Sequence, residues 1–399
     1  MEEKCDIAVV GGGPAGLSAA YAAAKAGARV ILMEKEEAIA HNVRTSGVSW
    51  ISELERLGIS DEYYNPVQNY RFVSPSNDVQ ISGKIPKSCV LDVRRMFQHL
   101  AFLAASAGAS IMLKSNVINV IKEGDKVAGV KASTPKGDLT VRSTIVIDAS
   151  GFSASVARKS GAAVEWKRYG VGAEYECYCD QIDSSTWVLM VGSRYSDAGY
   201  AWMFPLSKNR VRIGIGIGRP ESNAEPLEKL HDMMEKRPKP IDTLGKIQPV
   251  ELHYGFIPNE GVRKVSVADG LIMVGDSAGQ SNPLVLEGIR YAIEFGRLAG
   301  DVGAKSVSAN GSMESLLNYE NAWKAKVASK IQTALRVQSR WLGLTDEEWD
   351  KEIEILRDMT VDEFLDFIKA DFNRGKMMKL ALHHPKLAAR QLFNMILKS

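Results

Sequence analysis

The chain is poor in cysteine and has almost no excess of charge of either sign. Its 399 residues include four cysteines, 50 lysines and arginines, and 48 aspartates and glutamates. The cysteine spacing fits no zinc or iron–sulfur framework, and Cys177 and Cys179 are expected to be small buried residues of a strand. Since nucleic-acid-binding proteins usually carry a clear basic excess, the formal net charge of +2 argues against a nucleic-acid partner.

Long apolar runs are also missing. No window contains the ~20 consecutive apolar residues that span a bilayer, and the first residues, MEEKCD, lack the regions of a secretion signal. We therefore expect a cytoplasmic protein. Residues 385–399 mix apolar with basic side chains. They predict either a helix that packs on the protein or an amphipathic helix in peripheral contact with a membrane.

A glycine turn separates the first two apolar runs. Residues 7–10 and 29–33 are apolar, residues 15–26 have helical spacing, and the turn GGGPAG at 11–16 fits the pattern G-x-G-x-x-G. This order of strand, turn, helix and strand is a βαβ unit, whose helix N-terminus binds a pyrophosphate. Glu34 follows the second strand at the roughly 20-residue spacing of a ribose-binding acid. The unit predicts a bound dinucleotide without deciding between NAD and FAD.

Two later segments favour FAD. Asp148 ends one apolar run and is followed by Gly151, while Asp276 follows another run, with Gly288 opening a helix further on. An aspartate at a strand end can accept a hydrogen bond from a sugar or ribityl hydroxyl. The N–H groups at the start of a helix can meet the pyrimidine edge of a flavin.

The rest of the chain predicts an α/β fold in three parts. A helix is expected at 93–107, followed by short strands up to 138–141 and a separate buried strand at 144–148. Strand-like alternation dominates from 164 to 253, and the chain after 312 is helical and charged. We predict a discontinuous Rossmann-like FAD-binding domain, an inserted antiparallel β-sheet substrate domain and a C-terminal helical region. Their bounds are 1–70, 90–162 and 265–310 for the first, 71–89 and 163–264 for the second, and 311–399 for the third.

With these three segments in order, the chain resembles the flavoprotein family that includes aromatic hydroxylases, halogenases and geranylgeranyl reductases. The resemblance covers about the first three hundred residues and implies an FAD cofactor. The family's adjacent Asp-Gly pair is spread apart here, at Asp148 and Gly151. The predicted cofactor-binding residues are Gly11, Gly13, Pro14, Ala15, Gly16, Glu34, Lys35, Arg44, Thr45, Ser46, Gly47, Arg94, Val117, Asp148, Gly151, Gly275, Asp276, Pro283, Gly288 and Ile289.

One aromatic strand points to the geranylgeranyl reductase branch. Tyr200, Trp202, Phe204 and Pro205 look like that branch's YxWxFP motif, which the resemblance places in the substrate cavity. Rings at alternate positions of a strand share one face, which suits a long hydrocarbon, although an ordinary sheet core would have the same pattern. The alternating glycines at 214, 216 and 218 are expected to make room beside the rings or the flavin.

The chain departs from that branch at two places. The family's Cys-x-x-Gly segment is replaced near Thr45 and Ser46, whose hydroxyls can only hydrogen-bond. Val93 stands at a position where the family tends to have arginine. Either Arg94 or Arg95 takes over contact with the flavin phosphates, or both are solvated helix residues. No catalytic residue is predicted, since the chemistry would be borne by the flavin.

The resemblance implies that reduced FAD saturates isolated C=C bonds of isoprenoid lipids. The electron donor stays open between NAD(P)H and a protein such as ferredoxin. Two alternatives remain: an FAD-dependent monooxygenase acting on an apolar small molecule, and a flavoprotein without catalytic turnover. Tyr200 and Phe204 replace residues of the halogenase motif, which argues against halogenation. The scattered histidines, such as His253, are expected to be structural or exposed.

Overall fold

A computed structural model describes residues 1–371 and 374–385. The segment 385–399, predicted to pack on the protein or to contact a membrane, lies outside the described residues from its second position, 386, onward. The strands, β1 to β18, are Glu2–Val10, Val30–Met33, Val48–Trp50, Tyr64–Val67, Asn69–Val73, Asp78–Ser82, Ser88–Leu91, Ser110–Met112, Asn116–Glu123, Lys126–Thr134, Gly137–Asp148, Tyr169–Cys179, Thr186–Val191, Gly199–Pro205, Arg210–Arg219, Ile247–Pro258, Val267–Ala268 and Leu271–Met273. The α-helices, α1 to α10, are Pro14–Lys25, Ile51–Arg56, Val93–Ser106, Ser155–Ser160, Pro226–Lys236, Ile289–Ser306, Met313–Trp341, Asp346–Glu354, Val361–Ile368 and Arg374–His383.

The first sheet has a parallel centre in the order β8-β2-β1-β11-β18. Val10 pairs with both Met33 and Asp148, and Asp148 pairs with Met273. Strands β1, β2, β11 and β18 therefore end level with one another. Because ligands of open α/β sheets bind beyond the carboxyl ends of the strands, this register brings the distant segments of the sequence to one edge.

The predicted strands at 138–141 and 144–148 are a single strand, β11, which corrects the expected break. Arg142 is exposed and Ser143 is buried, so the inward and outward alternation continues through these polar residues. The first half of β11 also pairs antiparallel with β10, which pairs with β9 in turn. Two cross-strand partners therefore keep the strand continuous where its composition suggested a turn.

The second sheet has the order β16-β12-β15-β14-β13-β5-β6. Its neighbours are antiparallel except β13 and β5, which are parallel, so the sheet is mixed rather than purely antiparallel. A small third sheet, β3-β7-β4, was not predicted. The predicted boundaries at 70/71 and 89/90 fall inside β5 and β7, because these strands continue pairing across them.

Helices cover both sheets. On the first sheet, α6 packs closely on α1, since a Cβ at Gly296 or Gly300 would overlap backbone atoms of α1. Gly288 is the N-cap of α6, as expected, and backbone bonds between Asn282 and Glu287 close a loop before this helix. Helices α7, α8 and α9 pack on the second sheet. No helix in the described part of the chain is both long and apolar enough to cross a bilayer.

Candidate active site

The glycine turn leaves β1 at the common strand edge. Gly11 has φ +109°, and a Cβ there would lie 2.9 Å from the Ala149 carbonyl carbon, so the turn packs directly on the end of β11. A Cβ at Gly16 would overlap the Gly11 carbonyl oxygen. Gly13, by contrast, is the N-cap of α1, and a Cβ there would meet nothing within 4 Å. The free N–H groups of the first turn of α1 therefore face open space, a geometry that fits a pyrophosphate.

Glu34 lies beside this turn at the end of β2. Its carboxylate accepts hydrogen bonds from the Gly12 N–H at 2.6 Å and from the Glu36 N–H at 2.9 Å. Lys35 pairs with Glu36 on the surface, at 3.9 Å. The strand register has thus placed the carboxylate next to the helix N-terminus, where a ribose attached to the pyrophosphate would lie.

The two predicted aspartates have different surroundings. Asp148 is fully buried, and its carboxylate accepts from the Ser150 N–H at 3.0 Å, the Ser150 hydroxyl at 2.5 Å and the Ala157 N–H at 2.7 Å. Both oxygens are engaged, so Asp148 shapes the turn leading to Gly151. Its predicted contact with a cofactor hydroxyl stays a prediction, since the carboxylate can accept one further bond.

Asp276 has a carboxylate available for a ligand. It lies in a short 3₁₀ helix, Gly275–Ala278, and a Cβ at Gly288 would be 3.3 Å from its Oδ1. Within residues 1–371 and 374–385, no group donates a hydrogen bond to this carboxylate. Burial raises its pKa from 3.8 to about 7. An acceptor beside the N-terminus of α6 is suited to a hydroxyl of the bound cofactor.

Arg212 fixes the loop that replaces the family's cysteine segment. Its Nη1 donates to the carbonyl oxygens of Ser46 at 2.8 Å and Leu91 at 3.0 Å. Gly47, with φ +78°, is held by a bond from the Leu91 N–H to its carbonyl, at 2.9 Å. Sequence reasoning missed Arg212, although an arginine inside the apolar strand RVRIGIGIG was a signal of a buried partner.

Arg94 is bonded to the segment that precedes Arg44. Its guanidinium donates to the carbonyl oxygens of Ala40 and His41, both at 3.2 Å, and pairs with Glu251. Its side chain is 41% exposed, so the two roles left open by the sequence stay predictions. Val117 has its side chain in the core beside the first sheet.

The aromatic strand β14 places three of its rings side by side. Tyr200, Trp202 and Phe204 share a face of β14, with neighbouring ring centroids 5.8 and 5.9 Å apart. Trp202 packs on Gly214 and donates from Nε1 to Glu174 Oε2 at 2.7 Å. The role of Gly214 in making room for a ring is confirmed.

A small pocket brings together residues predicted to bind the cofactor and residues predicted to bind the substrate. Thr45, Ser46, Gly47, Gly288 and Ile289 line it together with Tyr200 and Phe204. Trp202 and Pro205 line neither this pocket nor the cavity described next, so their predicted contact with substrate stays a prediction. Trp202 is held back by its bond to Glu174, and the Pro205 carbonyl accepts from Asn65 Nδ2 at 3.0 Å.

The large cavity adjoins the small pocket, and Tyr200 and Leu286 line both. One wall belongs to β13, β14 and β15, and the opposite wall to α7, α8 and α9. The empty space, including the open solvent at its mouth, is about 1100 Å³. The helical wall was missed, although Trp341, Trp349 and Phe364 stand out in a charged region of the sequence.

A buried ionic network lies behind the small pocket. Three carboxylates, on Glu174, Glu176 and Glu251, face three guanidinium groups, on Arg94, Arg210 and Arg212. Buried His253 donates from Nδ1 to Glu174 at 2.7 Å, as a structural residue would. Burial opposes ionisation of Glu176, but the bond from Arg210 and the charge of Arg212 lower its pKa below the usual value. The network ties Trp202 to the Ser46 carbonyl.

Comparisons with known proteins agree with this geometry. The family model of FAD-dependent oxidoreductases matches residues 6–267. The chain is 30% identical over 392 residues to digeranylgeranylglycerophospholipid reductase 2 of Methanococcoides burtonii, covering 95% of each chain. It is 30% identical over 366 residues to the enzyme of the same name from Methanothermobacter thermautotrophicus, covering 87% of this chain and 90% of the relative.

Solved structures give the same result. A geranylgeranyl bacteriochlorophyll reductase-like protein of Thermoplasma acidophilum has a TM-score of 0.87 and 27% identity, covering 99% of this chain and all of its own. A flavin-dependent brominase has a TM-score of 0.67 and 18% identity, covering 92% of this chain and 94% of its own, and shares the fold. The predicted α/β fold class is confirmed.

Proposed function

The chain belongs to the geranylgeranyl reductase family of FAD-dependent oxidoreductases, and from this we propose that it saturates isolated C=C bonds of isoprenoid chains, as found in membrane lipids. The observation that carries the proposal is the small pocket. There the loop at Thr45 and the N-terminus of α6 meet Tyr200 and Phe204, next to a larger apolar cavity. An isoprenoid held in that cavity can place one double bond at the pocket.

FAD would be held along the common strand edge. The turn at Gly13 and the first N–H groups of α1 would bind its pyrophosphate, Glu34 its ribose and Asp276 a hydroxyl group. The N–H groups at Gly288 would lie at its ring. When bound and reduced, FAD supplies the hydride for the addition to the alkene.

The chain's own contribution is orientation and exclusion of water. An isolated alkene has no carbonyl that a hydrogen bond could polarise, so positioning must lower the barrier. Tyr200 limits the pocket on one side, and its hydroxyl donates to the Val285 carbonyl at 2.7 Å. Burial raises the pKa of Tyr200, which keeps the hydroxyl protonated at neutral pH.

The decisive experiment uses the FAD-loaded full chain, reduced chemically under anaerobic conditions, with a glycerolipid carrying geranylgeranyl chains. Mass spectrometry should find two hydrogens added for each bond saturated. Products that appear only after air is admitted, each carrying an added oxygen atom, would contradict the reductase and support the monooxygenase. Tight flavin with neither product would point to a flavoprotein without turnover.

Two further parts of the proposal concern partners. The electron donor is NAD(P)H or a reduced ferredoxin. Anaerobic mixing with each, followed by the absorbance of the flavin, distinguishes the two.

We place lipid uptake at a membrane surface, with residues 385–399 as the contact. Flotation with anionic lipid vesicles should recover the full chain and lose it when these residues are deleted.

A further inference from the structure

A group of polar side chains interrupts the apolar wall of the large cavity. Asn259, Gln338 and Trp341 line this cavity and do not line the small pocket. Asn259 follows β16, is 2% exposed, and has its N–H bonded to the Arg168 carbonyl at 3.0 Å. Gln338 and Trp341 are three positions apart on α7, so they lie on one face of the helix.

Two of these side chains have a buried polar atom that makes no hydrogen bond with the described residues. Asn259 Nδ2 donates to Gln338 Oε1 at 2.7 Å. Asn259 Oδ1 and Trp341 Nε1 are both buried, and neither has a partner among the described residues. If both amides were turned round, the pair would still keep one unused acceptor and unused donors. Both unpartnered atoms belong to residues that line the cavity, and buried groups of this kind are costly to leave unpaired.

The charge of the lining favours a neutral ligand group. Among the described residues that line the large cavity, none is a lysine, arginine or histidine, and Glu352 is acidic. A phosphate would need a cation or several donors to replace its water. A hydroxyl, by contrast, has one donor and accepts as well, which matches the two unpartnered atoms.

We propose that Asn259, Gln338 and Trp341 form a subsite for the hydroxyl group of an isoprenoid alcohol. The hydroxyl donates to Asn259 Oδ1 and accepts from Trp341 Nε1, while the hydrocarbon chain follows the apolar wall. The subsite rests on the proposed function for its ligand class, and it fixes which end of the molecule enters the cavity.

The test measures binding to the oxidised, FAD-loaded full chain by calorimetry. The probes are a ten-carbon prenyl alcohol, its methyl ether and its phosphate monoester. One additional hydrogen bond predicts roughly threefold to tenfold tighter binding of the alcohol than of the ether. Asn259→Leu, which removes the acceptor, should bring this ratio close to one, whereas Trp341→Phe, which removes a donor that both probes can use, should weaken alcohol and ether alike. Ser143→Ala, which removes another buried unpartnered hydroxyl far away on β11, should leave the ratio unchanged.

Several results would overturn the subsite: an unchanged alcohol-to-ether ratio in Asn259→Leu, an unchanged affinity for both probes in Trp341→Phe, or tightest binding of the phosphate with that preference lost in Asn259→Leu. The same probes are then incubated with the reduced protein without oxygen. A normal alcohol preference without any saturated product rejects the proposed reaction and keeps the subsite. Saturation without the preference rejects the subsite alone.

Discussion

The indole ring of Trp202 occupies the space that a side chain at Gly214 would fill. A Cβ at Gly214 would lie 2.5 Å from the Trp202 Cε2 atom. The Trp202 ring in turn stacks on Phe204, with centroids 5.9 Å apart and an interplanar angle of 14°. A glycine on β15 therefore sets the position of a ring in the small pocket two residues further along β14.

Gly214→Ala should disturb this arrangement. The added methyl group overpacks a buried site, which typically costs about 1–3 kcal/mol in the free energy of unfolding, and the displaced Trp202 pushes Phe204 into the pocket. We expect lower kcat as well as lower stability, measured by turnover and urea unfolding. Gly172→Ala is the matched control, since a Cβ there would meet its nearest atoms at 3.5 and 3.6 Å. Equal effects of the two substitutions would contradict the packing argument.

Gly13→Ala separates cofactor binding from folding. Gly13 has φ −80°, which alanine adopts, and a Cβ there would meet no protein atom within 4 Å. The FAD-free protein should therefore melt as the wild type does, while the methyl group occupies the space proposed for the pyrophosphate and weakens FAD binding by about tenfold or more. Gly16→Ala should instead lose stability without cofactor, because its Cβ would overlap the Gly11 carbonyl. Unchanged FAD affinity in Gly13→Ala would remove the phosphate from this turn.

Asp276→Asn should have opposite effects on stability and on FAD binding. The pKa of this carboxyl is raised from 3.8 to about 7 in the folded protein. Its contribution to stability is therefore fully present below pH 3.8 and is lost as the pH rises through about 7. Asparagine carries no such loss, so the FAD-free variant should be more stable than wild type above pH 7, with the gain shrinking towards pH 4.

FAD binding provides the second readout for this variant. An ionised acceptor makes stronger hydrogen bonds than an amide, so Asp276→Asn should bind FAD roughly tenfold more weakly at pH 8. Asp148→Asn is the comparison, and it should melt earlier because an amide cannot accept all three bonds made by the carboxylate. A lower melting temperature of FAD-free Asp276→Asn at pH 8 would show that the carboxylate is stabilised by partners.

Arg212→Met should loosen the loop at Ser46. Removing one partner of a buried ion pair typically costs about 3–5 kcal/mol, and the carbonyls of Ser46 and Leu91 would lose their donor. We expect lower stability together with weaker FAD binding, and incomplete rescue by Arg212→Lys, whose ammonium lacks the forked geometry. Arg210→Met is the control, because Arg210 is 34% exposed and its loss leaves Glu176 paired with Arg212. Similar losses in both methionine variants would contradict the specific role of Arg212.

Local patterns in the sequence predicted the part of the site that depends on strand ends. The glycine turn, Glu34 and Asp276 follow parallel strands, and strands of this kind end at a common edge, so their meeting could be anticipated. The position of Trp202 could not be anticipated. Alternation placed it on the correct face, but Gly214 and Glu174, which lie on other strands, decide that it stays behind the pocket.

Arg212 and the aromatic residues of α7 to α9 were not predicted as parts of the site, because their partners are distant in the sequence. Arg212 is bound to carbonyls from segments more than a hundred residues earlier. The aromatic residues of α7 to α9 form a helical face whose partner surface cannot be read from its own pattern. Thr45 and Ser46, by contrast, line the small pocket together with Gly288 and Ile289.

The two walls of the large cavity come from different stretches of the chain. The residues proposed to hold FAD all precede the end of α6, whereas one wall of the cavity follows it. Substitutions after that point can alter the length or branching of the molecule that fits without touching the groups that bind the cofactor. The residues proposed to hold the cofactor and the helical wall of the cavity thus belong to separate segments, so that the range of molecules that fit can change through substitutions in the carboxyl-terminal quarter of the chain alone.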